Sequence, residues 1–108
     1  MKFVTLITGS HAYGEVTDNS DVDIVIRCGD KVRKLLKDNA DQSSDGSIRF
    51  GKLNIICCLD DTSYEVWDAG TKKLIEISNN QDRPIYRDEA KELFDKLRQE
   101  NGCYDDYR

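Results

Sequence analysis

At 108 residues, 38% hydrophobic and 34% charged, the chain has the size and balance of a single folded domain, which excludes a disordered or fibrous protein. No apolar run approaches the roughly 20 residues that a bilayer-spanning helix needs, so no membrane role is expected. The net charge of −5 disfavours long nucleic acid as a partner, because tight sequence-independent binding needs a basic face that displaces counterions.

Residues 2–8 are β-branched and apolar and predict a first strand. They run straight into polar Gly9-Ser10-His11 without a small-residue cleavage site, so the opening reads as a strand and not as a signal peptide. Residues 9–20 read as a loop punctuated by Gly14 and Asn19. The almost continuous apolar run over 22–28 is the pattern of a central strand buried on both faces. Asp30 is positioned to cap a short helix with Val32, Leu35 and Leu36 inward. Lys31, Arg33, Lys34 and Lys37 form the solvated face of that helix, or a basic strip for a polyanion.

Residues 38–46 are polar and predict an exposed loop. Residues 47–50 and 53–59 read as extended, with Gly51 at a bend between them. Thr62-Ser63-Tyr64-Glu65 matches a capping box, followed by a stripe of Tyr64, Trp67, Thr71, Leu74 and Ile77. Asp82-Arg83-Pro84 breaks the chain, and a last helix from about Tyr86 carries Tyr86, Ala90, Leu93, Phe94 and Leu97 on one face. The expectation is an α+β domain over 1–101, a small mixed β-sheet with helices mainly on one face, and a polar tail over 102–108.

Cys57 and Cys58 are adjacent and must point to opposite faces of a strand, so one of them is expected to be buried. No C-x-x-C pair suggests zinc. With no secretion signal read at the start, the four cysteines, Cys28 and Cys103 included, are expected to be reduced thiols in the cytoplasm.

The residues that carry chemistry lie early in the chain. Asp21 and Asp23 are two apart at the start of a strand, so both carboxylates share a face, about 6–7 Å apart at Cα. Their mutual repulsion, about 2–3 kcal/mol at an effective dielectric near 20, becomes attraction when a divalent cation lies between them. Magnesium suits such oxygen ligands, because it commonly binds one or two carboxylates plus substrate phosphates. Gly9 and Ser10 follow the first strand, where a glycine lets backbone N–H groups approach a phosphate and a serine hydroxyl can donate. Gly14 would turn the loop back toward the carboxylates. His11, the only histidine, falls in the same loop, where it could contact a phosphate, act as acid or base, or stand exposed without a duty. Tyr13 could stack on a base or pack on its own loop.

Gly9-Ser10-His11-Ala12-Tyr13-Gly14 and Ser20-Asp21-Val22-Asp23 together resemble the signature of the DNA-polymerase-β-type nucleotidyltransferase superfamily, and within it the minimal nucleotidyltransferases. The resemblance covers about the first 28 residues, and its compactness suits a phage or other mobile element. It implies the nucleotidyltransferase fold, a nucleoside triphosphate such as ATP as ligand, and magnesium as cofactor. It also implies that Gly9 and Ser10 hold the triphosphate, with Gly14, Ser20 and His11 in the same binding segment, and that Asp21 and Asp23 bind metal. Two departures stand out. The family's helix before the first strand has no room here, and its third carboxylate, in an apolar-Asp-apolar pattern, is replaced in Leu53-Asn54-Ile55 by Asn54. An amide carries no charge and cannot act as a base, so the two-metal site is expected to be incomplete. Asp60 and Asp61 are the nearest carboxylates that could substitute.

Three functions follow as expectations. The first is a magnesium-dependent nucleotidyltransferase that moves a nucleoside monophosphate from an NTP to a hydroxyl acceptor. The second is a binding or regulatory protein on the same fold (nucleotide sensor, antitoxin or decoy), with catalysis lost at Asn54 and a protein partner. The third is a small interaction domain without a ligand. A homodimer stays open, since small chains can pair to finish a core or a site.

Overall fold

The computed structural model describes residues 4–44 and 47–102. Five strands form one mixed sheet: β1 (Val4–Thr8), β2 (Val22–Arg27), β3 (Gln42–Ser44), β4 (Ser47–Phe50) and β5 (Leu53–Cys58). Four helices accompany them: α1 (Ser10–Tyr13), α2 (Asp30–Asn39), α3 (Asp61–Gln81) and α4 (Arg87–Glu100). The strand order is β1-β2-β5-β4-β3. Only β2 and β5 run parallel, and the other three pairings are antiparallel. The expected α+β class with a mixed sheet is what the chain adopts.

The two buried clusters lie on one face of this sheet, and Ile48, paired with Ile55, is buried on the other. Val25, Ile56 and Cys58 are buried beneath α3, with Leu6, Tyr64 and Trp67 packed around them. A second cluster of Leu74, Ile85, Ala90 and Phe94 joins α3 to α4, with Tyr13, Trp67, Ile77 and Leu93 at its edge. Trp67 belongs to both clusters and therefore ties α4, through α3, to the sheet. Thr8 and Thr71 are buried polar residues whose hydroxyls satisfy each other at 2.7 Å. Thr8→Val should cost about 1–3 kcal/mol, because it strands the Thr71 hydroxyl. Thr8→Val combined with Thr71→Val should recover most of that loss, as measured by denaturant unfolding.

Several expectations are corrected. The β2 strand was expected to be buried on both faces, yet Val25 alone in it is fully covered. Alternation turns Ile24 and Ile26 away from α3, and they remain half-exposed. Asp30 does not cap α2: Gly29 occupies that position, no side-chain cap bond forms, and Leu35 is exposed. The loop expected over 38–46 is shorter, since α2 continues to Asn39 and Gln42–Ser44 pairs with β4. Residues 45 and 46 lie outside the described residues.

The α3 helix starts before the expected capping box. Asp60 is its N-cap and accepts a hydrogen bond from the Ser63 N–H at 2.7 Å. At α4 the break at residues 82–84 holds, with Asp82 in the left-handed conformation at φ 52°. Tyr86 is the N-cap of α4 rather than part of its apolar face, and it is exposed. Arg98 takes an inward position that the apolar pattern did not announce. It is buried beside Asp95 and lies over the Trp67 and Phe94 rings at 5.2 and 5.6 Å.

Cys58 is buried and Cys57 only partly so, as alternation requires. Cys28, Cys57 and Cys58 are free thiols. Burial pushes both Cys57 and Cys58 up to about 12, so they stay neutral and unreactive near pH 7. Cys103 and the rest of the tail from residue 103 lie outside the described residues.

Candidate active site

The sheet's pairing register assembles the site. Thr8 is opposite Asp23 across β1 and β2, Asp23 is level with Asn54 across β2 and β5, and Asn54 is opposite Arg49 across β5 and β4. Paired residues share a face, so Thr8, Asp23, Asn54 and Arg49 form one row across four strands. The row lies on the same face as Val25, beyond the end of the apolar core. Asp21 immediately precedes β2 and joins the row from the strand end.

Hydrogen bonds define how these groups are oriented. The Asn54 Nδ2 donates to Asp23 Oδ1 at 3.0 Å, and the Ser47 hydroxyl donates to Asn54 Oδ1 at 2.5 Å. The amide is thus turned with its N–H toward the carboxylate and its oxygen away. Arg49 Nη1 donates to Asp21 Oδ2 at 2.8 Å, in a half-exposed ion pair.

The Gly9-Ser10 segment closes over Asp23. Gly9 adopts φ 71° and ψ −155°, a region open essentially to glycine alone. A Cβ on Gly9 would lie 2.2 Å from Asp23 Oδ2, so the loop backbone rests directly on the aspartate. Residues 9–20 were expected to form a loop throughout, but Ser10–Tyr13 is a short helical turn, started by Ala12 and Tyr13 N–H donation to the Gly9 carbonyl at 2.9 and 3.1 Å. Gly14 ends that turn, and a Cβ there would come within 2.7 Å of the Ser10 backbone. The Ile85 N–H donates to the Tyr13 carbonyl at 2.9 Å, which ties the turn to the segment before α4.

These groups open onto a cleft of about 1160 Å³ between the sheet and α4. Gly9, Ser10, Gly14, Asp21, Asp23 and Asn54 all line it, so most of the residues singled out in the sequence come together. His11 and Ser20 do not line it. His11 is exposed on the outer side of α1, and the Ser20 hydroxyl accepts the Thr17 N–H at 2.8 Å, building the turn before β2. Tyr13 lines the cleft partly buried. Burial raises its phenol, the hydrogen bond with Thr8 lowers it, and the Asp23 charge raises it again, for a net upward shift.

Asp60 and Asp61 do not replace the missing carboxylate. Asp60 caps α3, Asp61 pairs with Arg27 at 2.9 Å, and neither lines the cleft. Sequence reasoning missed the cations of the cleft: Arg49 from β4, and Arg87, Lys91 and Arg98 from α4. The alternation of Ser47-Ile48-Arg49-Phe50 could have placed Arg49 on a face opposite Ile48, but only the register places it beside Asp21.

Among the described residues no three His, Cys, Asp or Glu side chains gather to hold a metal by themselves. The donor set is two carboxylates, and among the described residues neither Asp21 Oδ1 nor Asp23 Oδ2 accepts a hydrogen bond. This donor set suits one hard divalent cation whose remaining positions are filled from outside the chain. Comparison with protein-family models, curated proteins and solved structures gives no match for this chain.

Proposed function

We propose that the cleft binds a nucleoside triphosphate with magnesium and that the protein is a nucleotidyltransferase of the polymerase-β type, acting on a hydroxyl acceptor. The observation that carries this reading is the direct apposition of the Gly9 backbone and the Asp23 carboxylate, in a cleft whose lining also includes Arg87, Asp88 and Lys91 of α4. Nucleotidyl transfer requires a phosphate cradle next to a metal-binding carboxylate pair, with positive charge to meet the rest of the polyphosphate.

In this reading Asp21 and Asp23 hold the cation and the Gly9-Ser10 segment receives the β- and γ-phosphates. Bound magnesium would supply neutralisation of phosphate charge and polarisation of the phosphoryl group. The acceptor oxygen attacks the α-phosphorus, the bond to the bridging oxygen breaks, and pyrophosphate leaves. The acceptor proton passes to water, since Asn54 cannot take it. Arg49, Arg87 and Lys91 are the chain's own cations for the phosphates.

A second reading is favoured by one specific feature. Asp21 is already engaged by Arg49 and Asp23 by Asn54, an arrangement that also suits a protein that binds nucleotide without transferring it. Incubation with each α-³²P-labelled NTP, magnesium and a cell lysate separates the two. Nucleotidyl transfer predicts label on a discrete acceptor with wild-type protein and at least 100-fold less (on the order of 3 kcal/mol in the barrier) with Asp21→Ala/Asp23→Ala. Nucleotide binding with no label transferred, where a control transferase is active, favours the binding protein.

A further inference from the structure

Resting on the magnesium-nucleotide reading above, we propose that this is a one-metal site in which the Arg49 guanidinium supplies the second positive charge at the carboxylates. Glu15 and Asp88 also line the cleft, but among the described residues no third carboxylate gathers with Asp21 and Asp23, so the count rests on the oxygens of these two. Arg49 engages Asp21 Oδ2 and the Asn54 amide engages Asp23 Oδ1, which leaves one oxygen on each carboxylate. One of these, Asp23 Oδ2, faces the Gly9 backbone, where the phosphates arrive. Two oxygens plus phosphate serve a single octahedral cation.

A second cation about 3.5–4 Å from the first would need a further anionic oxygen. The only side-chain oxygen offered by the neighbouring β5 position in the row is Asn54 Oδ1, and it is turned away and engaged by Ser47. An N–H group directed at the site repels a cation. Arg49 meets the same electrostatic need by another route. It reaches Asp21 from β4, across the strand that carries Asn54. Its planar fork leaves further N–H donors for a phosphate oxygen. Arg49 is therefore a binding and positioning residue, and Asn54 and Arg49 form one device: an amide whose oxygen is turned away from the site and held by Ser47, beside a cation that makes ligation of a second metal unnecessary.

The test is manganese stoichiometry by electron paramagnetic resonance with the full chain and α,β-methylene-ATP, which reads metal occupancy without turnover. Wild type should bind one Mn²⁺ per chain with the signal of an isolated ion. Arg49→Ala/Asn54→Asp, with folding checked by circular dichroism, should bind two and show a spin-coupled pair. Arg49→Lys keeps the charge and should stay at one. A coupled pair in wild type, or a double variant that remains folded and still takes a single ion, overturns the proposal while leaving the magnesium-nucleotide reading intact. No bound Mn²⁺ in wild type overturns both.

Discussion

Gly9→Ala should abolish magnesium-nucleotide binding and lower the melting temperature by about 5–20 °C. Two costs act together. The backbone at φ 71° and ψ −155° disfavours any side chain by about 1–3 kcal/mol, and a 1 kcal/mol loss shifts the melting point of a domain this size by about 4–8 °C. The added methyl would also sit 2.2 Å from Asp23 Oδ2 and 3.1 Å from its Cγ, so either the loop or the carboxylate must move. The carboxylate is held by Asn54, so the displaced group would be the Gly9-Ser10 turn. Gly29→Ala is the control for added bulk: a Cβ there meets nothing within 4 Å, and since Gly29 is the N-cap of α2, its cost should stay at or below about 1 kcal/mol. Wild-type melting and affinity in Gly9→Ala would show that the loop does not rest on Asp23.

Phe94→Ala should destabilise the fold by about 3–5 kcal/mol, a large share of the roughly 5–15 kcal/mol typical of a domain. Phe94 is buried, its ring centroid lies 4.8 Å from that of Trp67, and it fills the space left by the missing side chain of Gly70. A Cβ on Gly70 would approach Phe94 Cε1 to 2.3 Å, so the two helices meet through this pair. Truncating the ring removes a contact that holds α4, which carries Arg87 and Lys91 into the lining of the cleft. Urea unfolding reads the effect. A loss below about 1 kcal/mol would mean that α4 is held by its other contacts.

Much of this architecture is legible in the residues themselves. The strands at β1, β2, β4 and β5 follow from apolar and β-branched runs, and the two long helices from spacings of three and four. The juxtaposition of Gly9-Ser10 with Asp21 and Asp23 also follows, because a glycine turn after one strand and carboxylates at the start of the next meet at one end of an antiparallel pair. What could not be read depends on partners distant in the chain. Gln42–Ser44 is a strand only because β4 offers it an edge. Arg49 reaches Asp21 only because β5 enters between β2 and β4. Leu35 and Tyr86 were assigned inward by periodicity, but the first lies on a helix that buries no residue and the second at a helix cap. On α4 the additional inward residue is Arg98, because the Trp67 and Phe94 rings accept its cation.

Titration calorimetry of the four NTPs, with magnesium or with EDTA, on wild-type and Asp21→Ala/Asp23→Ala protein tests the proposed nucleotide site directly. At least one NTP should bind wild type with magnesium present and lose that binding both in EDTA and in the variant. Absence of binding by every NTP, or binding indifferent to magnesium and to both aspartates, would contradict the assignment of this cleft as a magnesium-nucleotide site.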